Sequence, residues 1–168
     1  VPRLILRRGS GARGQDDVGW GPEAASQTFP RGALLIRSSG KLAVAAETSA
    51  NVDGSQVLVG IANHAASGTT DAQVRFARLR PGTKYEMQVC NNSDTLIGAD
   101  QVTIGTSYGL RRISQVINGV TVYTYVVDKN DTSAPYVKVV GLALYPGEAA
   151  ADAGTSVYVE WVGSTIEG

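Results

Sequence analysis

The residues best suited to chemistry sit in one short stretch. His64 is the sole histidine, and Ser67 and Asp71 lie close behind it, so a serine nucleophile, a base and an orienting carboxylate can be written from Ser67, His64 and Asp71. A working triad brings its members together from separate elements, with the nucleophile on a sharp turn. These three share one loop, Ala62-Asn63-His64-Ala65-Ala66-Ser67-Gly68 and its continuation, and the expected role of His64 is a solvated or hydrogen-bonded loop residue. Asp128, Asn130 and Thr132 offer oxygens at a spacing of two, as a calcium loop does at its start. Ser133 and Val139 stand where that loop needs glycine and glutamate, so the stretch reads as a turn between strands. Cys90 has neighbours, Val89 and Asn91, that supply no cation or base to hold a thiolate, and it is expected in the core. Asp16, Asp17 and Glu23 read as a solvated acidic surface. No zinc-ligand spacing and no phosphate-cradling glycine loop is present in the sequence. The expectation is a chain without catalysis, cofactor or metal.

Composition bounds what positions these residues. A chain of 168 residues can bury a core that needs no staple, and the one cysteine cannot form an internal disulfide, which suits a reducing cytoplasm. The 15 basic and 15 acidic side chains cancel, so no overall electrostatic footprint for nucleic acid exists. The opening Val-Pro-Arg-Leu-Ile-Leu-Arg-Arg is too short in apolar residues for a secretory signal. No run approaches a membrane span, and neither nucleic acid nor membrane is expected as a partner. The Asn-x-Ser/Thr matches at Asn91 and Asn130 fall in turn clusters. The 20 glycines point to many turns and few long helices.

From Phe29 onward, short apolar runs alternate with turn signals, the pattern of an all-β chain folded as a small β-barrel or β-sandwich. Ala33 to Arg37 and Leu42 to Ala45 flank Ser38-Ser39-Gly40, a hairpin connection. Gln56 to Ile61 puts Val57, Val59 and Ile61 on one face, with Leu58 on the other, and so predicts a strand covered on both sides. Val74 and Phe76 precede a Pro81-Gly82 turn into Tyr85, Met87 and Val89. Val102 and Ile104 suggest a further strand. Ile113 to Ile117 and Val120 to Val127 flank Asn118-Gly119, a strong hairpin signal. Tyr136 to Leu144 and Ser156 to Val162 supply the last strands, with Gly147 to Gly154 long enough for one helical turn. No repeat of fixed period is visible, so residues 27 to 168 read as one β domain, with a split near Gly105 into two small barrels as the alternative.

Residues 1 to 26 differ. Gly9, Gly11, Gly14, Gly19 and Gly21 interrupt any period, and Arg3, Arg7, Arg8 and Arg13 carry positive charge. The segment reads as an extended N-terminal arm whose large apolar groups argue for docking along another protein. Leu4, Ile5, Leu6, Arg7, Arg8 and Trp20 are the candidate attachment residues.

The stretch Gln27-Thr28-Phe29-Pro30-Arg31-Gly32-Ala33-Leu34-Leu35-Ile36, then Gly40-Lys41-Leu42 and Val57-Leu58-Val59-Gly60-Ile61-Ala62, resembles the opening of bacteriophage capsid decoration, or cement, proteins. The strand, Pro-Gly turn and strand between Ala72 and Val89 also resemble them, so the likeness runs over roughly residues 27 to 105 and weakens beyond. The resemblance implies a small β-barrel or sandwich that sits on the outer surface of the virion, is made in the host cytoplasm, and bridges major capsid proteins as a homotrimer. It carries over no active-site residue. Two other readings compete. A phage tail or fibre module would present Tyr108, Tyr123, Tyr125 and Tyr136 to a receptor or glycan, and a small hydrolase would depend on His64 or Cys90.

Overall fold

The computed structural model describes residues 18 to 46 and 50 to 167. Leu4, Ile5, Leu6, Arg7 and Arg8 lie outside the described residues. The all-β expectation holds. In chain order the strands are β1 (Val18–Pro22), β2 (Leu34–Ser38), β3 (Lys41–Val44), β4 (Ala50–Asn51), β5 (Leu58–Ala62) and β6 (Gln73–Arg78), then β7 (Lys84–Cys90), β8 (Leu96–Ile97), β9 (Ser107–Ile117), β10 (Val120–Asp128), β11 (Val137–Ala143) and β12 (Ser156–Trp161). Short 3-10 turns occupy Ala99–Gln101 and Gly163–Thr165.

The strands form two barrels with the same connectivity. In the first, the order β1-β6-β5-β2-β3 is antiparallel throughout. The circuit closes where Glu23, just past β1, makes a parallel bridge to Leu42 of β3, and the Ala24 N–H donates to the Leu42 carbonyl at 2.9 Å. In the second, β7-β12-β11-β9-β10 is likewise antiparallel, and parallel pairing of Val127 with Val89 and Asp128 with Cys90 closes it. β4 adds to the outside of β9 and β8 to β7. In both units the first strand pairs with the last, the second and third form a hairpin, and the third meets the first in parallel.

This repeat has no fixed period in sequence because the equivalent hairpins differ greatly in length. They comprise strands of 5 and 4 residues in the first barrel against 11 and 9 in the second. Both turn through two residues of positive φ, Ser39 (49°) and Gly40 (78°) in one and Asn118 (51°) and Gly119 (77°) in the other, the backbone that matches strand twist in a tight hairpin. The boundary between the units is the Pro81-Gly82 turn, where the Thr83 N–H donates to the Arg80 carbonyl at 3.3 Å. Gly105, where the sequence offered an alternative split, lies inside the second barrel, between β8 and β9. One continuous apolar cluster, including Leu34, Leu58 and Val59 from the first unit and Leu110, Tyr125 and Tyr136 from the second, joins the two.

β1 falls within the stretch 1 to 26 that the sequence marks as an arm, so residues 18 to 26 are built into the fold. The glycines that interrupt the period there point into the barrel. A Cβ at Gly19 would collide with the Phe76 ring, and one at Gly21 would press on Leu42. Phe76 fills the barrel so closely that Gly60 on β5 must also lack a side chain. Trp20 between the two glycines points outward and is 60% exposed, as strand alternation requires.

Other local expectations shift for identifiable reasons. β5 is buried at all five positions, as expected of a strand covered on both faces, but it begins at Leu58 and leaves Val57 exposed. No strand forms at Val102 and Ile104; the Thr103 N–H donates to the Tyr108 hydroxyl at 3.0 Å, Gly105 turns the chain at φ 90°, and Ile104 is exposed. Gly147 to Gly154 holds successive turns rather than helix.

Replacing Gly19 by alanine is expected to cost about 1–3 kcal/mol by overpacking, read from the urea midpoint. Combining it with Phe76→Leu should cost clearly less than the sum of the two single changes, because the smaller side chain removes the clash. Strictly additive costs would show that the glycine is required for another reason.

Candidate functional site

A fully buried carboxylate sits at each parallel seam. Glu23 Oε1 accepts the Gly68 N–H at 2.7 Å, and Oε2 accepts the Ser67 N–H at 2.8 Å and the Ser67 hydroxyl at 3.1 Å. Glu23 is thus no part of a solvated acidic surface; it pins the His64 loop to the barrel. Asp128 Oδ1 accepts the N–H groups of Asn92 and Asn130, each at 3.0 Å, and Oδ2 accepts Asn51 Nδ2 at 3.0 Å. Its oxygens tie three segments together, and the Asn130 amide turns to the Asn91 side-chain oxygen.

The residues written as a triad are engaged elsewhere. Ser67 faces Glu23, His64 Nε2 accepts the Arg75 N–H at 3.1 Å while Nδ1 lies 3.0 Å from the Ala65 carbonyl, and Asp71 pairs with Lys41 at 2.8 Å. Cys90 is buried, and burial, with the Asp128 charge beside it, pushes its thiol up to about 12. A thiol in that range is protonated at neutral pH and a poor nucleophile.

Of the tyrosines considered for a glycan platform, Tyr108, Tyr125 and Tyr136 are buried and only Tyr123 stands out, 40% exposed. The Tyr136 hydroxyl reaches the carbonyls of Asp53 and Gln56, the latter at 2.6 Å, so it clamps the loop before β5 onto the second barrel. Burial pushes both Tyr125 and Tyr136 up to about 12, the negative charge of Asp53 adding to the effect at Tyr136.

Among the described residues, the two most exposed large apolar side chains lie on the long hairpin β9–β10. Ile113 to Val127 contains no charged residue, and the part beyond the barrel exposes apolar groups on both faces of the ribbon. Val116 is 73% exposed and Val120 63%, with Val122 and Tyr123 also open. In register, Val120 lies opposite Ile117 and Tyr123 opposite Ser114, so Val120 and Val122 share one face while Val116 and Tyr123 occupy the other. Sequence reading found this hairpin but not its projection. The absence of charge over so long a run was the available signal, since a ribbon of this kind ordinarily needs charges to prevent unwanted pairing.

At the root of the ribbon, between the two barrels, lies a recess of about 160 Å³ lined by Arg31, Gly32, Arg112, Tyr123, Thr124 and Tyr125 among others. Trp20, the one described member of the expected attachment set, is on the outer face of the first barrel, its ring 6.0 Å from the Arg75 guanidinium.

Cys90, Tyr125 and Tyr136 all have raised folded-state values, so their unfolded forms ionise first as pH rises. Their contribution to stability is complete below about pH 9 and is lost as pH climbs through about 12, at no more than about 1.4 kcal/mol per pH unit for each group in its own window. Chemical denaturation between pH 8 and 12 should show this fall, and Tyr136→Phe should flatten it while lowering neutral-pH stability by about 1 kcal/mol. A stability curve independent of pH over that range would contradict these environments.

No family model, curated protein or solved structure matches this chain.

Proposed function

We propose that the chain is a non-enzymatic structural protein that attaches to the outside of a phage capsid and stabilises the shell by bridging major capsid proteins, as a homotrimer. The observation that carries the attachment is the uncharged ribbon, with Val116 and Val120 each more than 60% exposed beyond the barrel. Exposed apolar groups gathered on one projecting element are the kind of surface a protein partner covers. The capsid as partner rests on the resemblance of residues 27 to 105 to decoration proteins. A clamp of this kind needs no reactive group, because many copies of one modest interface raise the barrier to local opening of the shell. Burial of three of the four tyrosines considered for glycan contact disfavours the tail or fibre reading.

Leu4, Ile5, Leu6, Arg7 and Arg8 remain part of this proposal as an arm that lies along the capsid protein. Because β1 and Glu23 belong to the barrel, the truncation that tests the arm stops at residue 17. It should weaken attachment and leave the barrels folded.

The direct test adds purified protein to expanded shells lacking it and measures co-sedimentation and copy number. Saturable binding at a fixed ratio to the capsid subunit is expected. The Val116→Ser, Val120→Ser double variant should bind at least about tenfold more weakly while its stability moves by no more than about 1 kcal/mol, as exposed positions allow. Absence of binding by the unaltered protein would move the assignment to a tail or receptor-binding module.

A further inference from the structure

The recess between the barrels contains a cation that has no counter-charge among the described residues. Arg112 is 6% exposed. Its guanidinium makes one hydrogen bond to the described residues, from Nη1 to the Ala46 carbonyl at 3.1 Å, and Nε is buried with no partner. An arginine carries five N–H donors, and leaving such a group buried and unpaired is costly. The rings of Tyr123 and Tyr125 offset part of that cost, their centroids 4.8 and 5.8 Å from the guanidinium carbon. They take up none of its hydrogen-bonding capacity. The unused donors lie in the guanidinium plane, the direction from which a planar carboxylate accepts two parallel bonds. Arg31 adds a second positive charge at the recess. Among the described residues, no carboxylate pairs with Arg112.

We propose that this recess binds a carboxylate, supplied by an Asp or Glu side chain of the protein to which the chain attaches. Size selects the source. About 160 Å³ holds one side chain, whereas metabolite-sized ligands occupy pockets of roughly 300–1,000 Å³. Position agrees with it, since Tyr123 belongs both to the recess and to the exposed ribbon, so a partner seated on the ribbon can insert an acidic side chain beside its root. The source of the carboxylate, though not its binding, rests on the attachment reading.

The test follows the Arg112 Nε–H resonance of the ¹³C,¹⁵N-labelled full chain, assigned by through-bond correlation along its own side chain. The probes are sodium acetate, inorganic phosphate, and short blocked peptides that carry a central Glu or, as control, Gln. A saturable shift is expected with the Glu peptide, at least about tenfold weaker with the Gln peptide. Acetate should produce the same shift at higher concentration. In wild-type protein the experiment does not depend on any variant folding, and Arg31→Ala, at an exposed position, should weaken the Glu peptide without abolishing its effect. No shift with any carboxylate overturns the site. Tighter binding of phosphate than of acetate overturns the carboxylate assignment, and equal binding of acetate and Glu peptide overturns the protein side chain as source. A Glu-peptide response in a chain that fails to attach to shells would keep the recess and remove the capsid as its partner.

Discussion

Each barrel stands on a short parallel seam, because five strands paired in antiparallel order keep two open edges until the third strand meets the first. The seam in the first barrel is a single bridge at Glu23 and Leu42, and in the second the two pairs ending at Asp128 and Cys90. So few backbone bonds are a thin closure. In both places a buried carboxylate reinforces it by accepting loop N–H groups. Hydrogen bonds to a charged acceptor are about twice as strong as neutral ones, which suits them to a position where the ladder itself supplies little.

These seams set up the surface that faces a partner. Asp128 holds Asn51, which keeps β4 against β9, and the chain just ahead of β4 presents the Ala46 carbonyl to Arg112. The loop before β2 brings Arg31 and Gly32 to the other side of the same recess. The barrels share one core through Tyr125 and Tyr136, so the ribbon is rooted in a packed junction and only its far half is open. On the proposed function, rigidity at the root lets a projecting ribbon dock without a large ordering cost.

Much of the strand pattern was legible in sequence, since period-two alternation and turn residues act locally. Val74 and Phe76, Tyr85 to Val89, and the Asn118-Gly119 hairpin declare themselves within a few residues. What escaped depends on contacts distant in sequence. Gly19 and Gly21 read as signs of a loose arm because nothing near them reveals that Phe76 and Leu42 will occupy the space. Glu23 reads as surface because its donors, Ser67 and Gly68, come from a loop more than forty residues away. The duplicated topology was hidden by hairpins of unequal length. Arg112 stood just ahead of the expected strand Ile113 to Ile117, and its burial follows only from the meeting of two barrels.

The measurement that bears most directly on attachment through the ribbon is hydrogen–deuterium exchange of the chain free and bound to expanded shells. Amides in the outer part of the β9–β10 hairpin, residues 114 to 123, should exchange more slowly on the shell, while those of the barrel strands change little. Protection confined to other surfaces, with the hairpin tip exchanging as fast as in the free chain, would contradict the assignment.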